Sequence, residues 1–559
     1  MSAIEVGEKN PAETPHPTVP VRIPLGDDSL SARTAALVAR AAGHRFDMAV
    51  EDRAAARMDE SVRLRDDLVA TCRPIYGVTT GFGDSARFQV SPEHAGALQR
   101  GLITYHLNGT GPATESSTVR ATMLIRANSL ARGYSGVRRE VVELILDFLR
   151  HDIVPVIPER GSVGASGDLV PLCYLAEALC GGGEVRWDGR VLPAAEAMEA
   201  RGLRPVVLQA KEGLALINGT AFMSAFAVHA LDAADRIAVA ADVCTALAVE
   251  GLLGNRGHFH PGIHRQKPHP GQLRSAARIR ALLAGSLLCG DRPTVEQPRT
   301  DVIHRNTLPL ARNIQDPYSI RCMPHVNGVL LDTVDWVERW LTVEINSTND
   351  NPLFDPESAE VHSGGNFYGG HVGHAMDSLK LAVASTGDIL DRQVALLVDD
   401  KTNHGLPPNL AAPTATGLNH GFKGMQIAAS ALAAEALKLT NPATAFSRST
   451  EAHNQDKVSM GTIAARDART VTELVVEIAA ITLLAACQAV EYRGTDRLSD
   501  RTRTVHELVR TQVPRLDGDR RLDRDLEAVV DMITSGAIGE LVHGMHLADL
   551  PEESKGSAR

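Results

Sequence analysis

Apolar residues recur along most of this chain at the three-and-four spacing of helices that bury one face. Met58, Val62, Leu68, Val69 and Cys72 follow it, as do Val137, Val141, Leu144, Ile145 and Phe148. Leu330, Val334, Val337, Leu341 and Ile345 repeat the pattern. Three runs, 220–250, 425–441 and 462–493, contain neither glycine nor proline. The last, as one helix, would be roughly 48 Å long. Apolar nearly all round, such helices belong inside a bundle or against other subunits. The clear β signal is one hairpin, Glu184–Trp187 and Arg190–Leu192 around the two-residue turn Asp188-Gly189. Residues 1–24, polar and proline-rich, read as a disordered tail.

Long segments rich in Gly, Pro, Asn and His separate the helical runs, at 73–92, 104–116, 254–275, 290–327 and 346–372. Loops of that length are often functional. No internal repeat or composition shift cuts the 559-residue chain, which is long enough to bury a large core. Aromatic content is only 4%, so Ala, Leu, Val and Ile must fill that core. The longest apolar stretch, Leu474–Val490, is broken by Glu477 and reads as a buried helix, not a membrane span.

A net charge of −11 argues against nucleic acid or an anionic membrane as partner. Seven scattered cysteines form no C-x-x-C pair and point to free thiols in a reducing compartment. No basic-then-apolar leader opens the chain. The expected location is the cytoplasm.

The most informative segment is Arg160-Gly-Ser-Val-Gly-Ala-Ser-Gly-Asp-Leu-Val-Pro-Leu172. Ala165, Ser166 and Gly167 form a nearly side-chain-free turn ahead of a predicted helix. Asp168 is placed to cap that helix, Pro171 fits its first turn, and Gly181–Gly183 end it. Such a turn can cyclise: the Gly167 nitrogen attacks the Ala165 carbonyl, and water leaves the ring and Ser166. The product carries an exocyclic methylene, an electrophile no ordinary side chain provides. As a nucleophile elbow the segment fails, because the second glycine of G-x-S-x-G is missing. Taken alone, it is also an ordinary tight turn and cap.

Other segments fit the same chemistry. They are Tyr76-Gly77-Val78-Thr79-Thr80-Gly81-Phe82-Gly83, Leu216-Ile217-Asn218-Gly219-Thr220, Tyr318-Ser319-Ile320-Arg321-Cys322 and Glu344-Ile345-Asn346-Ser347. Gly365-Asn366-Phe367, Gly405-Leu406-Pro407-Pro408 and His453-Asn454-Gln455-Asp456 follow. With the 160–172 segment, this ordered set resembles the aromatic amino acid ammonia-lyase and aminomutase family, whose histidine, phenylalanine and tyrosine ammonia-lyases use methylidene-imidazolone (MIO).

The resemblance implies an all-α fold of the fumarase/aspartase-like superfamily. A loop-rich N-terminal domain over 25–215 would carry the MIO segment and the hairpin, and a long helical bundle over 216–559 would carry oligomerisation. It implies a homotetramer whose active sites each draw on three subunits, and MIO built from Ala165, Ser166 and Gly167 with no metal or nucleotide. The reaction would remove ammonia from an α-amino acid to give a trans-α,β-unsaturated acid.

Within that reading Tyr76 is the base at the β-carbon, and its phenolate needs stabilising neighbours because a phenol titrates near ~10. Arg321 clamps the substrate carboxylate through two parallel donors. Asp316 and Pro317 would open a short helix that puts Tyr318 and Arg321 on one face. Asn218 bonds the carboxylate or the ring, and Phe367 flanks the prosthetic group. In Tyr105-His106-Leu107-Asn108-Gly109, His106 and Leu107 occupy the place that faces the substrate's ring. His-Leu there resembles tyrosine ammonia-lyases, and an imidazole can bond a para-hydroxyl. Histidine ammonia-lyases also carry a histidine at this point. Gln455 stands where those enzymes place glutamate. Glu451 resembles phenylalanine ammonia-lyases, so it pulls against His106. Tyr368 and Asn409 depart from the family pattern.

His258, His260, His264 and His269 are too loosely spaced for a convincing metal site, and a helix stop explains Gly181–Gly183 better than a phosphate cradle. The expectation is a lyase converting L-tyrosine to p-coumarate. The alternatives are phenylalanine or histidine deamination, 2,3-aminomutation, and an inactive helical scaffold.

Overall fold

The three runs free of glycine and proline each become one helix, two of them at the centre of the molecule and the 425–441 run a more exposed one. A computed structural model describes residues 21–41, 46–290, 300–310, 313–412 and 417–545. Most of the expected disordered tail, residues 1–20, lies outside the described residues. The rest of it is corrected: Val21–Leu25 forms a strand, β1, paired in parallel with β2 (Phe46–Val50). Ile23 and Leu25 are buried, which is why this stretch is ordered.

The N-terminal helices are α1 (Ala32–Arg40), α2 (Asp52–Ala70), α3 (Ala95–His106), α4 (Ser116–Ala131), α5 (Arg139–Arg150), α6 (Leu169–Leu179), α7 (Ala194–Ala200) and α8 (Glu212–Ile217). They lead into α9 (Ala221–Gly251), α10 (Pro261–His264) and α11 (Pro270–Leu282). A short α12 (Tyr318–Arg321) precedes α13 (Met323–Ile345), α14 (Gly370–Val398), α15 (Lys423–Lys438) and α16 (Gly461–Arg493). α17 (Asp500–Arg510), α18 (Asp523–Thr534) and α19 (Ala537–Gly544) follow.

α16 packs most extensively on α9 and α14, with α13 beside both α9 and α14. One buried apolar cluster runs from Ile23 to Val542. Alanine lets the long helices approach closely, and Phe222 and Phe226, edge to face at 5.1 Å, fill the gap it leaves. By length and composition α16 could cross a bilayer, but 78% of its apolar window is buried in the fold, as expected of a core helix.

The expected hairpin is present as β6 (Glu184–Trp187) and β7 (Arg190–Pro193), with Asp188 and Gly189 both at positive φ. It is not the only β structure. Thr110–Ala113 (β3) pairs with Pro158–Arg160 (β5), Val154–Pro155 (β4) extends the hairpin, and Leu353–Asp355 (β8) pairs with Glu360–His362 (β9). These pieces are too short to show alternation, and several pair across long sequence separations.

α2 buries the face that its apolar spacing marks, most deeply over its N-terminal half, with Leu68 and Val69 packed on a second small core. Ala54, Ala55, Met58, Ser61 and Arg65 face inward, while Val62, Leu68 and Val69 are half-buried and Cys72 is exposed past the helix end. Arg65 lies on that same face, fully buried, and its guanidinium donates to the Gly136 carbonyl and to Gln209 Oε1, both at 2.8 Å. Nearby, Arg138 grips Glu212 bidentately at 2.7 Å and Lys211 Nζ meets Asp350 at 2.6 Å. Removing one member of such a buried pair costs about 3–5 kcal/mol. This polar layer fixes the start of α8, and so the turn that follows it.

Candidate active site

Segments remote in sequence converge on a cavity of about 800 Å³. The turn before α6 lies at its floor. The loop before α3, the C-terminal end of α3, the α8–α9 junction, Phe367 and the loop before α16 form its walls.

The Ala165-Ser166-Gly167 turn is pinned on both sides. Met460 N donates to the Val163 carbonyl (3.0 Å) and Ser459 N to that of Gly164 (3.1 Å). On the far side Asp168 N donates to the Gly219 carbonyl (2.8 Å). Gly167 sits at φ +71°, in the left-handed region, and a β-carbon there would overlap the Gly219 carbonyl. Only glycine meets both demands.

Asp168 corrects an expectation. It occupies the cap position of α6, but its side chain makes no bond to that helix. Its Oδ2 accepts instead from Met223 N (2.8 Å), in the first turn of α9, and its Oδ1 from Ser162 Oγ (2.9 Å) and Thr462 Oγ1. One carboxylate thereby ties the Ala165–Gly167 turn to the starts of α9 and α16. Complete burial pushes its pKa up to about 6, against the pull of these hydrogen bonds.

Asn218 Nδ2 donates to the Ser166 carbonyl at 2.9 Å, while its Oδ1 is buried with no partner. Gln455 Nε2 lies 3.4 Å from Ser166 Oγ. Tyr76 is half-buried, and its Oη accepts from Gly83 N at 3.0 Å. Burial raises the Tyr76 pKa first of all; the Gly83 amide opposes this and the Glu451 charge adds to it. The positive neighbour that a phenolate base needs is not among these influences.

Glu451 takes up the space over Gly83 where a side chain would stand. It accepts from Asp84 N (3.1 Å) and Asn454 Nδ2 (2.7 Å), so the loop before α16 is fastened to the Tyr76 loop. Glu451, Ala452 and His453 all have positive φ, in a tight turn closed by Thr450 N donating to the Gln455 carbonyl (3.0 Å).

His106 ends α3, with Nδ1 2.9 Å from the Leu102 carbonyl. A carbonyl only accepts, so Nδ1 carries the hydrogen and Nε2 is the ring's acceptor. Burial lowers the His106 pKa, keeping it neutral near pH 7. Leu107 does not join it: it packs half-buried on the main core, outside the cavity lining. The sequence reading missed Tyr105, which lines the cavity with its ring 4.3 Å from that of His106. It also missed Arg126, buried beneath Asn218.

Tyr318 and Arg321 are not at this cavity. Asp316 does not cap their helix; Pro317 holds the cap position. Gln393 Nε2 ties the Ser319 carbonyl to Thr245 Oγ1, both at 2.9 Å, near the far end of α9. Thr245 lies about 36 Å along the helix axis from Ala221, beside the reactive turn. Arg321 stacks 4.5 Å over the Tyr318 ring, and Tyr318 is 71% exposed. Within one chain this pair cannot reach Ser166.

His258 and His264 knit the 254–275 segment. His258 Nε2 accepts from Asp316 N (3.1 Å), and His264 bonds the His258 carbonyl and Gln272, each at 3.1 Å. Among the described residues no three His, Cys, Asp or Glu side chains converge as a metal site would require.

The profile of the family described as aromatic amino acid lyase matches residues 33–511. The chain belongs to that family. It is 41% identical over 517 residues to a histidine ammonia-lyase of Stigmatella aurantiaca, covering 92% of this chain and 97% of that one. It is 42% identical over 487 residues to a tyrosine ammonia-lyase of Cupriavidus metallidurans, covering 86% and 91%. Among solved structures, the tyrosine aminomutase of Streptomyces globisporus superposes with a TM-score of 0.89 at 35% identity, covering 94% of this chain and 99% of that chain. The helical architecture is that of the ammonia-lyases and aminomutases, and this lyase-family chain is an enzyme acting on carbon–nitrogen bonds of aromatic amino acids.

Proposed function

We propose that this enzyme deaminates L-tyrosine to trans-p-coumarate, using MIO formed from Ala165, Ser166 and Gly167. Two observations support the prosthetic group: the Gly167 cradle has no room for a β-carbon, and Asn218 holds the Ser166 carbonyl while its own Oδ1 is left unpartnered. MIO supplies an electrophile that makes the substrate's amine easier to expel.

The side chains do the rest. Asn218 puts an N–H donor on the Ser166 oxygen, where negative charge would collect. Tyr76 Oη takes the proton from the β-carbon, with the Gly83 amide as its fixed donor. Phe367 and Gln455 border the cavity around the reactive turn. His106 carries the substrate preference: its Nε2 accepts from the para-hydroxyl, and a site built for that bond penalises a substrate lacking it.

Arg321 and Tyr318 bind the carboxylate and amine from another copy, which their distance from Ser166 within one chain supports. Their cation also provides the positive charge that Tyr76 lacks in its own chain. The working form is then a cytoplasmic homotetramer with shared sites.

The observation carrying the tyrosine reading is that His106 lines the same cavity as Ser166, Asn218 and Tyr76, with Nδ1 bonded to the Leu102 carbonyl so that Nε2 is the ring's acceptor. Parallel incubation with tyrosine, phenylalanine and histidine tests it, following p-coumarate, cinnamate and urocanate by ultraviolet absorbance. Turnover of histidine alone favours the second reading, which the 41% identical histidine ammonia-lyase motivates. Chromatographic β-tyrosine would indicate aminomutation. Ser166→Ala separates enzyme from scaffold: activity vanishes while the oligomer survives.

A further inference from the structure

Arg126 is the least explained charge in the molecule. It projects from α4, is fully buried, and has guanidinium Nε and NH2 atoms without a hydrogen-bond partner. A cation in that state is expensive to bury. Charged residues near it already have partners of their own. Asp350, the carboxylate whose charge acts on Arg126, is tied to Lys211 Nζ at 2.6 Å.

What Arg126 does touch is the turn behind the reactive segment. NH1 donates to the Asn218 carbonyl and to Asn349 Oδ1, both at 3.2 Å. It also lies against Gly219 so closely that no side chain could stand there. Asn218 in turn donates to the Ser166 carbonyl, and the Gly219 carbonyl accepts from Asp168 N. The cation is thus one residue removed from both contacts that define the Ser166–Gly167 geometry.

We propose that Arg126 is a positioning residue, whose buried charge holds the Asn218–Gly219 turn and biases the Ser166 carbonyl oxygen toward carrying negative charge. It acts through Asn218 and touches no reacting atom. Arg126 holds the main-chain carbonyl of Asn218 while the side-chain amide of the same residue donates to Ser166, so the cation acts by fixing that residue's position and through its field in a low-dielectric interior. This inference rests on the MIO reading of the turn.

The test compares intact mass, kcat and KM of the wild-type oligomer with those of Arg126→Gln, Arg126→Lys and Ser166→Ala. Wild type lighter by two waters, with Ser166→Ala unshortened, establishes the MIO reading first; a full-mass wild type defeats that reading, whatever Arg126 does. Given it, Arg126→Gln should lower the dehydrated fraction or lower kcat at least ~10-fold, with KM changing less than ~2-fold, since one lost donor at an oxyanion site is worth more than that when direct. Complete dehydration with kcat within ~2-fold of wild type would overturn the proposal.

Arg126→Lys decides the matter even where the glutamine variant does not fold. A lysine buried there loses its proton more readily than arginine. Its kcat should therefore approach wild type at neutral pH and fall away at an alkaline pH where wild type is still active. A purely structural arginine would leave the shape of that profile unchanged, and an unchanged shape refutes the role.

Discussion

Gly167 lies face to face with Gly219, its Cα against the carbonyl that accepts from Asp168 N. This contact closes the reactive turn onto the start of α9, leaving no room for a β-carbon. Gly167→Ala therefore meets both a left-handed φ and an overlap. The expected result is a folded oligomer of full, undehydrated mass and no lyase activity. Mass loss equal to wild type would show that the cradle tolerates a side chain.

Asp168 joins three elements through one carboxylate, so its removal should be felt in stability as well as activity. Asp168→Ala leaves the Met223 amide and the Ser162 and Thr462 hydroxyls without their acceptor, and should destabilise by about 2–4 kcal/mol. A fall in Tm of the purified oligomer checks this. Asp168→Asn, which keeps one acceptor, should lose less.

Substrate choice should depend on pH through His106. Its folded pKa is below the ordinary 6.5, so the unfolded chain takes up its proton first as pH falls. Stability contributed by neutral His106 is present above 6.5 and is lost as pH drops through the folded pKa. Over the same descent Nε2 ceases to accept, and KM for tyrosine should rise more steeply than KM for phenylalanine. His106→Phe should shift the tyrosine-to-phenylalanine ratio of kcat/KM by about 10²-fold or more toward phenylalanine, and should abolish this pH dependence.

Burial first, and then the Glu451 charge, keep the Tyr76 phenol in its neutral form against the pull of the Gly83 amide. Replacing Glu451 with glutamine keeps an acceptor for Asp84 N but removes the negative charge. The Tyr76 pKa should fall, so the ascending limb of kcat/KM against pH should move to lower pH. A limb that stays put or moves up would remove Glu451 from the control of the base.

The separation of Arg321 from Ser166 gives a complementation test. Ser166→Ala and Arg321→Ala oligomers should each be inactive. Unfolded together and reassembled, mixtures should regain activity, because some sites then combine an intact turn with an intact arginine from another copy. No recovery in verified mixed oligomers would place the carboxylate site elsewhere.

The family and the helical class were legible in the sequence because they depend on local facts. A turn of three small residues, glycines around Tyr76 and unbroken helical runs state their constraints within a few positions. The hairpin was legible because Asp188-Gly189 suits its turn. The face of α2 was legible, but the arginine buried on it was not, because its satisfaction depends on Gly136 and Gln209, more than 70 residues away.

What the sequence alone determined was the tight turn of small residues at 165–167, the helical class and the candidate residue types. Tertiary structure decided which of them meet: Asp168 serving α9 rather than α6, Leu107 in the core, Tyr105 beside His106, and Arg321 at the far end of α9. Side-chain partnerships depend on distances between segments a hundred or more residues apart. Helical periodicity fixes a residue's face, and only packing fixes what that face meets.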